Sequence, residues 1–127
     1  MTREYSRVIA GLAILALSAC PGLAADLRFA GYLVDRSCGD NLKAQGATQE
    51  SLQVHSKECA LNENCSRDGY SLYSKGKWYQ LDKKGNELAR QVLKASKTKE
   101  GHFVSISGTL DKEQLKVTTL KELAQDQ

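Results

Sequence analysis

A chain of 127 residues with 18 basic and 15 acidic side chains, four cysteines and one proline is long enough for one domain with a modest core and too short for two. Its lysines gather mildly at Lys75/Lys77, Lys83/Lys84 and Lys94/Lys97/Lys99, but acids are interspersed. That excludes a nucleic-acid-binding stripe and leaves a solvated surface.

Arg3 and Arg7 precede an uncharged run from Val8 to Ala19, the length of a signal h-region and short of the about 20 apolar residues of a membrane span. Two cleavage sites compete. Gly22-Leu23-Ala24 offers small residues to a signal peptidase and makes residues 1–24 a removable signal peptide. Leu17-Ser18-Ala19-Cys20 has the form of a lipobox, which makes residues 1–19 a lipoprotein signal and Cys20 an acylated first residue. The expected location is the periplasm or cell envelope, or secretion, with membrane attachment only through that lipid. Loss of residues 1–19 leaves 16 basic and 14 acidic residues, a net charge of +2, which points to no particular partner.

The rest reads as a single domain over residues 26–123. Leu27 to Asp35 alternates in polarity and predicts a first strand ending in an Asp-Arg-Ser turn, followed by a loop from Ser37 to Ala47. Thr48 suits an N-cap for a short helix reaching about Leu61, where Asn62 and Asn64 help to stop it. Gly69 to Ser74 and Lys77 to Asp82 are aromatic-rich alternating segments joined by Lys75-Gly76, a hairpin turn. Asn86 can cap a helix with a Leu88, Ala89, Val92 and Leu93 stripe that ends near Thr98. His102 to Leu110 and Leu115 to Leu120 predict a last strand pair, with Val104, Ile106, Leu115 and Val117 inward.

Five strands with a helix between the third and fourth match the order of an oligonucleotide/oligosaccharide-binding (OB) barrel, carrying a helical insertion after strand one. The alternative is a small α+β sheet. On the hairpin, Tyr70, Leu72, Tyr79 and Leu81 are expected in the core, with Tyr73 and Trp78 outward. Strands two and three carry the usual OB ligand face, so Tyr73 and Trp78 are candidates to stack on a sugar or a partner, although packing is the commoner use of strand aromatics.

Once Cys20 is acylated or removed, Cys38, Cys59 and Cys65 remain, an odd number for an exported domain. His55 lies four residues before Cys59, a spacing at which two side chains on one helix face can hold an ion. With Cys38 and Cys65 they form a Cys3His set suited to zinc or copper. The competing arrangement is a structural disulfide from Cys59 to Cys65, or to Cys38, worth about 2–4 kcal/mol, with His55 facing solvent. Asp35 and Asp40 flank Cys38 and can add oxygen ligands, though turn-forming aspartates are common there. His102 shares parity with Val104 and Ile106 and reads as an edge or core residue.

The segments Gly31-Tyr32-Leu33-Val34-Asp35-Arg36-Ser37-Cys38, His55, Cys59, Cys65, Gly69 to Leu72, Lys77 to Asp82 and Val104 to Leu110 resemble those of a loosely defined group of small exported bacterial proteins of unknown function. The resemblance implies an OB-like barrel with an early strand-to-cysteine turn and a cysteine pair ahead of the hairpin. It supplies no activity. Five residues, Ala60 to Asn64, separate Cys59 from Cys65, a longer gap than the group implies.

No serine–histidine–acid arrangement, phosphate loop or paired carboxylate motif supports catalysis. The leading expectation is a non-enzymatic exported binding domain whose Cys38/His55/Cys59/Cys65 corner is either stapled by a disulfide or holds a transition metal. A disulfide-stapled structural or adaptor protein with an envelope protein partner is the second. A thiol-redox protein using Cys38 is the third, without the usual Cys-x-x-Cys.

Overall fold

The computed structural model describes residues 26–124; the expected signal segment and Cys20 lie outside them. In chain order the elements are β1 (Leu27–Asp35), α1 (Arg36–Ala44), α2 (Gln49–Gln53), α3 (Lys57–Leu61), α4 (Glu63–Ser66), β2 (Tyr70–Ser74), β3 (Lys77–Leu81), α5 (Lys83–Ala95), β4 (Phe103–Asp111) and β5 (Gln114–Glu122). The strands close into a barrel of order β1-β2-β3-β5-β4, with β3 and β5 parallel and the other pairs antiparallel. That order, with α5 between β3 and β4, is an OB-like barrel; closure excludes the open α+β sheet. No helix among the described residues is long and apolar enough to cross a membrane.

Alternation along the strands fills the barrel. Leu33, Leu72, Leu81, Val104, Ile106, Leu115 and Val117 are buried together, and Ala89 and Leu93 of α5 join them. Leu88 and Val92 pack half-buried at the edge of the same cluster, completing the stripe read from the sequence. The β2–β3 turn takes positive φ at both Lys75 (50°) and Gly76 (79°), the backbone of a two-residue hairpin whose twist suits the flanking strands.

β1 is buried on both faces from Gly31 to Asp35. Leu33 points into the barrel, whereas Tyr32 and Val34 point outward into a second cluster with Leu52, roofed by Leu42 and Cys38 of α1. Gly31 lies where β1 leaves β4 for β2, and a Cβ there would overlap the carbonyl oxygen of Tyr73. Gly31→Ala is therefore expected to lower unfolding stability by about 2–3 kcal/mol, measured by urea denaturation; a loss below about 0.5 kcal/mol would show slack in that strand crossing.

Four expectations about local structure are corrected. The segment after β1 is helical, because Asp35 is an N-cap: its Oδ2 accepts from the Cys38 amide at 2.9 Å. The expected Thr48-to-Leu61 helix is broken into α2 and α3, since Ser56 caps α3 through Oγ to the Cys59 amide. The backbone of His55 and Lys57 at the break bonds to Gly101 and Lys99 instead of continuing the helix. α5 begins earlier, capped by Asp82 Oδ1 on the Gly85 amide, while Asn86 Oδ1 accepts from the Tyr70 amide. It ends at Ala95, with Ser96 extended.

Candidate metal centre

The helical insertion packs four chemistry-bearing side chains onto the end of β1. Asp35, fully buried, is the last residue of that strand; Cys38 lies in the first turn of α1, His55 in the break before α3, and Cys59 within α3. One ligand atom from each of Asp35, Cys38, His55 and Cys59 lies within 4.8 Å of all the others. A tetrahedral zinc ion places such atoms about 3.3–3.8 Å apart, so the set already converges and needs a small contraction to close on an ion.

Two details separate this cluster from an ordinary polar contact. His55 Nε2 and Asp35 Oδ1 are 2.8 Å apart, yet neither atom makes a hydrogen bond of proper direction, and both are buried. An N–H aimed along that contact would have satisfied both. His55 Nδ1 is buried and unsatisfied as well, and a cation beside Asp35 Oδ1 and His55 Nε2 would satisfy both of those atoms. Apart from His55, no cationic side chain pairs with Asp35 among the described residues, and a fully buried carboxylate is costly without a compensating positive charge. Its second oxygen is spent on the α1 cap, which fixes the orientation of the first.

The sulfurs also gather around Cys59. Cys59 Sγ is 3.5 Å from Cys38 Sγ and 3.8 Å from Cys65 Sγ, and all three cysteines are free. Two thiolates on one zinc ion lie about 3.8 Å apart. Burial, followed by the Cys59 thiol and the Asp35 carboxylate, pushes the Cys38 thiol far above its ordinary value. A place in the first turn of a helix acts the other way, and burial wins. Contact with Cys59 and then burial also raise Cys65. In the free protein these thiols therefore hold their protons; a cation bound at Cys38 would reverse that balance there and hold thiolate.

No family model matches the chain, and no curated protein or solved structure shows significant similarity to it. Function must therefore be argued from the site itself.

The structure brings together Cys38, His55 and Cys59 of the expected Cys3His set, with Cys65 beside Cys59 and outside the four-atom group. His55 and Cys59 do not share a continuous helix; they meet because the chain breaks between them. The His55 side chain is 8% exposed and turned to Asp35, which corrects the solvent-facing alternative. Asp40 is exposed and outside the group. Asp35 carries only a weak signal in the sequence, its position three residues before Cys38, where an aspartate can cap a helix.

His102 is a core residue, 1% exposed, with Nδ1 3.5 Å from Glu122 Oε1. Burial lowers its pKa despite that carboxylate, so it stays neutral at pH 7. Tyr73 and Trp78 pack edge to face at 5.1 Å in the second cluster, half-buried, and Gly39 of α1 lies against the Trp78 ring. The insertion covers this part of the barrel. An open cleft of about 480 Å³ lies instead between the start of β1 and the hairpin tip, lined by Arg28, Phe29, Lys75, Lys77 and Tyr79 among others.

Proposed function

We propose that this is a non-enzymatic exported domain that binds a transition metal, with zinc held by Asp35, Cys38, His55 and Cys59. The observation that carries the proposal is the convergence of two buried, unsatisfied ligand atoms, Asp35 Oδ1 and His55 Nε2, on a pair of thiols. A mixed set of two sulfurs, one imidazole and one carboxylate suits borderline zinc; copper(I) favours softer, all-sulfur surroundings. Four protein ligands complete a tetrahedron and leave no open position for substrate, which favours holding the ion over chemistry on it.

The ligands also explain the insertion. They come from the end of a barrel strand, a helix capped by one of them, a chain break and a second helix. An ion would join these segments as a disulfide would, without needing an even number of cysteines.

The test is zinc binding by the reduced protein purified from an exporting host, in competition with a chromophoric chelator, alongside thiol alkylation and intact mass. One zinc per chain, with Cys38 and Cys59 protected from alkylation while it is bound, is the expected result. Alkylation of both thiols at the same rate with and without zinc would overturn the proposal.

A further inference from the structure

Cys59 has two sulfur neighbours but the four-atom ligand group includes only one of them. Cys65, on α4, is 3.8 Å from Cys59 and half-buried. Asn62 ends α3 and begins α4, accepting from the Asn64 amide through its side chain and from the Cys65 and Ser66 amides through its carbonyl. This shared cap fixes the short turn that holds Cys65 beside the site. The Cys65 sulfur must move from 3.8 Å to about 2.0 Å from Cys59 to form a disulfide.

We infer that Cys65 is the release thiol of the site: a disulfide-bearing oxidant converts Cys59 and Cys65 to a disulfide, withdraws the Cys59 ligand and discharges the metal. The inference rests on the metal-binding proposal and specifies its regulation. With zinc bound, Cys38 and Cys59 are both engaged, so Cys65 is the thiol left to react. Its sulfur attacks the oxidant's S–S bond, forming a mixed disulfide, and its proton goes to the first departing thiol. The Cys59 sulfur then attacks Cys65 Sγ, expelling the second thiol as a thiolate that takes a proton from water. The oxidant gains two electrons, Cys59 and Cys65 lose two, and zinc leaves as the dication.

What remains is Asp35, Cys38 and His55, one ligand short of a closed zinc site. This gives the odd cysteine count a function. Two sulfurs serve the reduced, metal-bound state, two serve the oxidised, metal-free state, and Cys59 belongs to both. In an oxidising compartment the competition between metal and oxidant would then set the occupancy of the site.

The experiment begins with the reduced wild-type protein carrying one zinc equivalent, to which excess oxidised glutathione is added. Zinc release is followed with a chromophoric indicator, and disulfides are mapped by alkylation and peptide mass. One zinc is expected per disulfide, with the mass loss of about 2 Da confined to the Cys59 and Cys65 peptides and Cys38 left alkylatable. A dithiol reductant should restore binding. Cys65→Ser should still load one zinc, because the Cys65 sulfur lies outside the four-atom group, but release it markedly more slowly under oxidant.

A disulfide mapping to Cys38, release from Cys65→Ser at the wild-type rate, or retention of zinc by the oxidised wild type would overturn this inference alone. Failure of the reduced protein to load zinc would overturn the binding proposal, and this mechanism with it.

Discussion

Cys59→Ser is expected to weaken zinc binding by more than about 100-fold, because loss even of groups that merely orient ligands costs about 10–100-fold and Cys59 is itself in the converging set. No neighbouring sulfur restores the site without moving α3 or α4, since Cys65 comes from the next helix. The metal-free variant should remain folded. The Cys59 side chain is half-buried, and the backbone cap from Ser56 that starts α3 does not involve its sulfur. Competition with a chelator of known affinity gives the binding loss, and thermal melting without metal controls for folding. Zinc affinity within threefold of wild type would remove Cys59 from the ligand set.

Zinc should also stabilise the domain strongly. An ion that binds only the folded chain, present at 1,000 times its dissociation constant, adds about 4.1 kcal/mol; for a domain of this size that raises Tm by about 15–30 °C. The effect should weaken on acidification. Burial raises the Cys38 thiol, so the free protein holds that proton through neutral pH, and thiolate binding must release it. Each proton released lowers affinity by about tenfold per unit fall in pH, so the Tm increment at fixed zinc should shrink as pH drops from 8 to 6. An increment that does not change over this range would show that no thiol proton is displaced, contrary to thiolate ligation.

The barrel was legible in the sequence because its inward residues alternate and its hairpin carries a Lys-Gly turn. Leu33, Leu72, Val104, Ile106 and Leu115 are buried as that pattern requires. The insertion was less legible. Asp35-Arg36-Ser37 has the residues of a turn and also those of a helix cap, and the two differ only in whether the Cys38 amide reaches the Asp35 carboxylate. The Thr48-to-Leu61 segment has adequate helix formers throughout. It breaks because Ser56 caps a new helix and the chain around His55 pairs with residues 99–101, long-range contacts that local propensity does not contain.

The cysteine and histidine members of the site stood out by residue type, whereas Asp35 did not. Its proposed role depends on complete burial and on the division of its two oxygens between a cap and the cluster. The surroundings of Tyr73 and Trp78 were only partly legible. Strand alternation correctly turned them away from the barrel interior, but four helices rather than one separate β1 from β2, and α1 lies over that outer face.

The most direct test is X-ray absorption at the zinc edge of the reduced protein after loading with one equivalent and removal of excess ion. The expected coordination is two sulfurs at about 2.3 Å and two nitrogen or oxygen ligands at about 2.0–2.2 Å. A shell of nitrogen and oxygen alone, or loss of zinc when the excess is removed, would contradict a metal site built on Asp35, Cys38, His55 and Cys59.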